Sequence, residues 1–410
     1  MTTYVPRLID DVLAEVLAQR AAVMVNGPRA CGKTTSGARL ARSIVRLDVG
    51  TEAALFRADP DAALAAFGER PLLLDEWQEV PEVIGAVKRA VDAGAPAGSF
   101  ILTGSVRAPI EQRTWPGTGR VATVEMAPLT LREQLGGAGG PGLLDRLTSP
   151  AVGTVRAAPD VLGYLDLALA GGFPEPALDL EARTRAGWYR DYVEQIASRD
   201  VVGVLRRAEP DRMRRYLEAL ALASAGVVEH RTLYEAAAIS KRTAEGYDDV
   251  LRRLFVTVHV PAFSTNRLKN LVVRPKRYVV DAALLAAAAR IGRPDIVRDG
   301  DLLGCVVDTF VHTQLRGEVL ARHPDVRIAH LRSDGGRREV DLILDLGGRR
   351  VVAIEVKAGA SVARTDARHL VWLRDELGAD LVSGIVLHTG RSAFALDERI
   401  YALPICALWS

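Results

Sequence analysis

At 410 residues the chain is too long for one hydrophobic core, and length alone argues for several domains. It is ordinary globular material, 49% hydrophobic and 25% charged with a formal net charge of +2, so the overall balance carries no nucleic-acid signal and any basic patch must be local. Three cysteines, Cys31, Cys305 and Cys406, are too few and too scattered for a disulfide framework or a zinc site. The opening stretch MTTYVPRLIDDVLAEVL carries acids early and lacks the pattern of a secretory signal. No run approaches the roughly 18 to 20 apolar residues of a membrane span. The expectation is a cytoplasmic chain without membrane association.

The first informative stretch is AVMVNGPRACGKTT. An apolar run, Val23, Met24 and Val25, reads as a buried strand that breaks at Asn26 into Gly27, Pro28, Arg29, Ala30, Cys31, Gly32, Lys33, Thr34 and Thr35. This satisfies G-x-x-x-x-G-K-[ST] with strand, loop and helix-forming tail in the required order. The two glycines allow backbone conformations closed to other residues, so successive N–H groups can wrap the phosphates of ATP. Lys33 supplies a point charge to the β- and γ-phosphates, Thr34 a hydroxyl for Mg²⁺, and the next helix its positive end. Cys31 reads as a small residue that fits, with a redox-sensitive thiol as the other reading.

A short apolar segment at 43–49 and one helical stretch at 53–67 follow. Leu72, Leu73 and Leu74 then run into Asp75 and Glu76, the form of a parallel strand that delivers carboxylates to its C-terminal edge. Asp75 would hold Mg²⁺ through water, and Glu76 would orient and deprotonate the attacking water. A helix is expected at 83–93 and a strand at 99–103, where Thr103 or Ser105 either senses the γ-phosphate or simply ends a strand. Arg120, before a strand at 121–126, is either a phosphate-facing cation or a solvated arginine. These alternating elements predict a doubly wound α/β domain over residues 1–136.

Residues 136–150 are rich in Gly and Pro and read as a linker or exposed loop. The pattern over 137–205 is helical, a linker or lid, with Trp188, Tyr189, Tyr192 and Ile196 forming an aromatic stripe that reads as core. Arg199 and Asp200 close that helix. In residues 206–300, 18 Lys or Arg stand against 11 Asp or Glu. Helices at 212–224, 232–238 and 241–254 and strands at 255–260 and 277–280 predict a winged helix-turn-helix. Its basic loop, with Arg267, Lys269, Arg274 and Lys276, would lie on DNA phosphates; use of the same fold for protein contacts is the competing reading.

Residues 301–410 open with a helix at 306–320. Alternating apolar residues on either side of Gly347 and Gly348 mark a hairpin. It carries Asp341 and Glu355 on neighbouring strands, with Lys357 on the face of Glu355. Two carboxylates and a lysine are the set with which a metal-dependent nuclease positions Mg²⁺ and activates water; an exposed hairpin with charged ends is the plain alternative. A helix at 364–377 would back the sheet.

Taken together, GPRACGKTT, LLLDEWQEVP, FILTGS, GGFPEP, RD at 199–200, SKRTAEGYDDVLRRL, PKRYVVD, and EVDLIL with IEVK resemble a family of bacterial and archaeal predicted ATPases of the AAA+ superfamily. Their C-terminal domain, of unknown function, is similar to PD-(D/E)XK nucleases. The resemblance implies Lys33, Thr34, Asp75 and Glu76 as ATPase residues and Thr103 or Ser105 as sensor. It also implies a nuclease-like site of Asp341, Glu355 and Lys357 with Mg²⁺ on the two acids. The chain departs from the family at Asp308, where a glutamate is usual on the helix leading into that domain. Two functional expectations follow. One is an ATPase whose nucleotide state controls a DNA-acting C-terminal half; the other is an ATP-dependent regulatory or toxin–antitoxin switch whose nuclease-like domain only docks protein partners. An oligomer is compatible with both.

Overall fold

The computed structural model describes residues 4–106, 117–137, 142–155, 157–201, 209–263, 274–333 and 336–410. Five short runs form the N-terminal sheet: β1 (Ala22–Asn26), β2 (Ser43–Arg46), β3 (Leu72–Asp75), β4 (Phe100–Gly104) and β5 (Val121–Glu125). All lie parallel, in the order β2-β3-β4-β1-β5. Parallel pairing requires crossovers that cover the sheet on both faces, so the central strands are apolar throughout rather than alternating with polar residues. Successive residues serve opposite cores: Val23, Val25, Leu73 and Ile101 pack on one face, and Met24, Leu72, Leu74 and Leu102 on the other. Because every strand runs the same way, the ends of β1, β3 and β4 meet along one edge.

Two stretches differ from their sequence reading. Residues 53–67 are two helices, Gly50–Ala58 and Pro60–Ala66, because Asp59 leaves helical geometry (φ −152°) and its side chain caps the N–H groups of Asp61 and Ala62. The Gly/Pro-rich stretch at 136–150 contains a helix, Leu143–Thr148, held by burial of Leu143 and Leu147. The aromatic stripe packs as core against Phe173, whose ring centroid lies 5.0 Å from that of Tyr192 and 5.5 Å from that of Trp188.

From Leu131 to Leu408 a single apolar core is continuous. It takes in the helices Val161–Ala170, Ala182–Gln195, Pro210–Leu222, His230–Ala236 and Lys241–Arg253. An antiparallel pair follows, β7 (Thr257–Val260) with β8 (Lys276–Val279). The C-terminal sheet has seven strands in the order β6-β13-β14-β12-β11-β10-β9, where β6 is Gly153–Thr154, β9 Arg327–Ser333, β10 Arg338–Asp345, β11 Val351–Val356, β12 Leu381–His388, β13 Ser392–Asp397 and β14 Ile400–Pro404. In β11, Val351 and Ala353 face one core, Val352 and Ile354 the other. The helix Arg368–Leu377 packs on the first face. The 23-residue helix Gly300–Arg322, about 35 Å long, packs on the second. Among the described residues no helix is long and apolar enough to cross a membrane.

Candidate functional site

The loop after β1 is folded around its own glycines. A Cβ on Gly27 would stand 2.3 Å from the Met126 carbonyl oxygen, so no side chain fits there. Gly32 has φ +101° and Ala30 φ +59°, left-handed conformations that turn consecutive N–H groups to one side. Lys33 opens the helix Lys33–Leu40, and its buried ammonium donates to the carbonyl oxygens of Gly27 (3.1 Å) and Pro28 (2.8 Å). These are neutral partners within reach of the loop, a resting place from which the ammonium can turn to an anion.

Thr34 follows on that helix and donates from its hydroxyl to Asp75 Oδ1 at 2.8 Å, across from β1 to the end of β3. Thr103, at the end of β4 between them, donates to the same oxygen. Glu76 takes a left-handed turn (φ 54°), which swings its side chain out of the strand direction; Gln78 Nε2 donates to it, and Ser105 Oγ does so at 3.4 Å. The parallel edge therefore gathers Lys33, Thr34, Asp75, Glu76 and Thr103. A glycine cradle, a buried ammonium and a hydroxyl–carboxylate pair fit a nucleotide triphosphate with Mg²⁺: Thr34 and Asp75 would hold the ion.

Two residues that sequence reasoning did not place at the loop hold it. Arg7 donates to the Cys31 carbonyl (2.8 Å) and the Ala127 carbonyl (2.7 Å) and pairs with Glu133 at 2.9 Å, all buried. The Tyr192 hydroxyl donates to the Arg29 carbonyl at 3.1 Å. Neither contact follows from a local pattern, because the partners come together only in the fold. Cys31 itself is fully buried, as the small-residue reading requires. Arg120 precedes β5 and so lies at the edge opposite the loop; it is solvated and pairs with Asp92 at 2.7 Å. Arg199 is exposed.

A second cluster lies in the C-terminal half. Pairing of Leu342 with Ile354 sets Asp341 and Glu355 opposite each other on β10 and β11. Asp308, on the helix Gly300–Arg322, joins them with Lys357 along a cleft of about 350 Å³. The ammonium of Lys276 sits among these acids, 2.7 Å from Asp308 Oδ2, 3.1 Å from Asp341 Oδ1 and 3.5 Å from the Asp341 carbonyl oxygen. The expectation that Lys276 lies with the wing cations on DNA phosphates is thereby corrected: alternation along β8 turns it, with Tyr278, toward the helix, and it is 1% exposed. Arg267 and Lys269 fall outside the described residues, and Arg274 pairs with Glu229 at 2.6 Å.

The charges in the cluster are mutually set. Burial pulls the Lys276 ammonium down, but Asp308 and Asp341 outweigh it and hold its pKa well above the ordinary value. Burial pushes Asp308 up to about 6, against the pull of Lys276. Burial also acts on Asp341, yet Lys276 and the Val356 N–H bring it below the usual range. Glu355 is raised well above its ordinary value by burial and then by the charge of Asp341. Its carboxyl is hydrogen-bonded to Asp341, and Oε1 stands 3.7 Å from His369 Nδ1. Among the described residues no group of three His, Cys, Asp or Glu side chains is disposed to hold a metal ion. With an ammonium between Asp308 and Asp341, the cluster as folded does not fit the expected Mg²⁺.

The helix Gly300–Arg322 joins the two regions. Eight residues, about 12 Å, beyond Asp308, Arg316 pairs with Glu125, which stands level with Asn26 at the mouth of the glycine loop. Gln314 Oε1 accepts from the Leu131 N–H at 2.7 Å, and Glu318 pairs with Arg132 at 2.9 Å with both side chains buried.

Residues 19–135 match an AAA domain model, residues 162–295 a domain of unknown function (DUF8612), and residues 303–408 another (DUF4143). No curated protein matches the chain. Among solved structures, it is similar to the Walker-type ATPase paby2304 of Pyrococcus abyssi, with 14% identity and a TM-score of 0.39, covering 69% of this chain and 94% of that one. It is also similar to the Bacillus subtilis DNA clamp loader delta protein (YqeN), with 11% identity and a TM-score of 0.27, covering 72% of this chain and 99% of that one. Residues 19–135 are thus similar to a P-loop ATPase domain of the AAA type.

Proposed function

We propose that this chain is a Mg²⁺-dependent ATPase whose nucleotide state is passed through the helix Gly300–Arg322 to a C-terminal half that engages duplex DNA. The observation that carries the coupling is that helix, tied to the mouth of the glycine loop by Arg316 and to the acidic cluster by Asp308. Lys33 and the loop N–H groups bind the phosphates, Glu76 holds and deprotonates the attacking water, and Thr103 fixes the Asp75 carboxylate. Bound Mg²⁺ would neutralise charge at the β- and γ-phosphates. The DNA reading is supported by the basic surplus of residues 206–300 and by three helices followed by an antiparallel pair, which suit a winged helix with exposed Lys241 and Arg242 at the start of its third helix.

The test is phosphate release from ATP with Mg²⁺, with and without duplex DNA, for the wild-type chain and Lys33→Ala. A Lys33-dependent rate that DNA stimulates is the expected result. An unchanged rate in Lys33→Ala overturns the ATPase site, and a Lys33-dependent rate indifferent to DNA overturns the DNA reading. The second reading, a nuclease-like domain that docks protein partners and cuts nothing, is favoured by the ammonium of Lys276 lying where the cluster would need its metal.

A further inference from the structure

The helix Ala182–Gln195 has two apolar faces. Trp188 and Tyr192 pack on Phe173 as core. Turned from them, at spacings of three and four residues, Ala182, Ala186, Tyr189 and Val193 form a second stripe. With Ala283, Ala286 and Ile291, from the helix Ala282–Ala288 and the residues after it, this stripe lines a groove of about 980 Å³. From Ala182 to Glu194 its wall is about 18 Å long, three turns of helix. Ala182 and Ala186 are exposed and Val193 and Ile291 half-buried, so the floor is apolar surface that the chain leaves uncovered. The rim is basic: five arginines line the groove against two acids. Both acids are paired already, Asp166 with Arg293 at 2.7 Å and Glu194 with Arg214. Arg185 donates to the carbonyl oxygens of Pro176 (2.7 Å) and Leu180 (2.9 Å), neutral groups that leave its charge standing. Arg190 and Arg290 are exposed and make no ion pair among the described residues. Past the Glu194 end Arg215 stands with Asp211 and Glu218, so the positive excess belongs to the groove itself.

We propose that this groove is the docking site for an acidic amphipathic helix of a partner protein. Large apolar side chains of that helix, three and four residues apart, enter over the alanines, and its carboxylates meet Arg185, Arg190 and Arg290. The small residues of the floor are what let a second helix come close. Duplex DNA suits the rim but not the floor, because phosphates set over alanine and valine methyls lose hydration without gaining a donor. The helix that forms one wall also holds the glycine loop, through the Tyr192 hydroxyl on the Arg29 carbonyl, so a seated partner bears on an element that touches the loop. Docking itself needs no nucleotide.

The test is fluorescence anisotropy of a fluorescein-labelled peptide titrated with the full chain without nucleotide. The probe is a helix of about 16 residues, long enough to span the groove, with leucines along one face and glutamates elsewhere. Saturable binding of one peptide per chain is expected. Arg190→Glu with Arg290→Glu should weaken it by about tenfold or more, and Ala186→Trp, which fills the floor from an exposed position, should abolish it. All three positions are exposed, so the variants are expected to keep the wild-type melting transition. The inference is overturned by absence of saturable binding, by equal binding of a peptide with lysine for glutamate or with its leucines scrambled, or by wild-type affinity in Ala186→Trp. Displacement of the probe by duplex DNA, lost in Arg190→Glu with Arg290→Glu, also overturns it and makes the groove a nucleic-acid site. Because the titrations contain no nucleotide, failure of the ATPase reading leaves their outcome untouched.

Discussion

Two buried lysines, one in each half of the molecule, face different kinds of oxygen. Lys33 rests on the neutral carbonyls of Gly27 and Pro28, a hold worth about 1.5–3 kcal/mol per hydrogen bond, which a phosphate's full charge can outweigh. Lys276, 1% exposed, rests on two carboxylates, where a lost partner leaves a buried charge uncompensated. The first is an arrangement for taking up a ligand; the second is already satisfied from within. The same side chain thus serves binding or closure according to whether its resting partners are dipoles or charges.

The largest effect expected from this contrast is on stability. Lys276→Met should lower the free energy of unfolding by about 3–5 kcal/mol in metal-free urea denaturation. A loss under about 1 kcal/mol would mean that the ammonium is not what balances the acids, and the contrast would collapse. Next comes Lys33→Ala, which should cut ATP turnover by a factor on the order of 100 or more while changing stability by about 1.5–3 kcal/mol. Parallel rate and denaturation measurements check both numbers, and a large stability loss here would make the two lysines equivalent.

A third effect separates the halves by pH. All seven histidines lie after residue 229. Burial holds His330 at about 4 instead of 6.5 and pushes the fully buried His312 well below its ordinary value. The unfolded chain takes up a proton near pH 6.5, whereas the folded chain takes it up at His330 only near 4. Stability from this group is therefore complete above pH 6.5 and drains away as pH falls toward 4, by about 3 kcal/mol at the low-pH limit. Urea midpoints across that window should fall, and His330→Gln should flatten the slope; an unchanged slope assigns the loss elsewhere. The smallest effect is at Arg120, whose exposed pair with Asp92 lies on the edge away from the glycine loop. Arg120→Ala should leave both stability and ATP turnover essentially intact, since its partner Asp92 is solvent-exposed. A large loss of turnover would break the assignment of the opposite edge as the nucleotide site.

The N-terminal site was legible because its signals are local. The cradle needs two glycines at fixed spacing, Lys33 and Thr34 follow within one turn, and an apolar run ending in Asp75 can only set its acid at a strand end. The placing of Arg7 and Tyr192 on that loop was not legible, since each partner lies more than twenty residues away and no period links them. In the C-terminal half, alternation across Gly347 and Gly348 was enough to bring Asp341 and Glu355 together. Lys276 was assigned to a surface because a basic residue near a loop is usually solvated, and only packing against a helix that carries Asp308 turns it inward.

What the sequence determined by itself was therefore the elements with a repeating pattern and the loop whose chemistry is set by residues in succession. Backbone sterics and side-chain alternation act over a few residues, so they can be read along the chain. The tertiary structure decided which polar groups face one another: the Asp281 carboxylate receiving the Gly172 N–H at 2.7 Å, Arg132 on Glu318, and Lys276 between Asp308 and Asp341. Burial makes such pairs strong and exclusive, and burial is a property of the packed core alone.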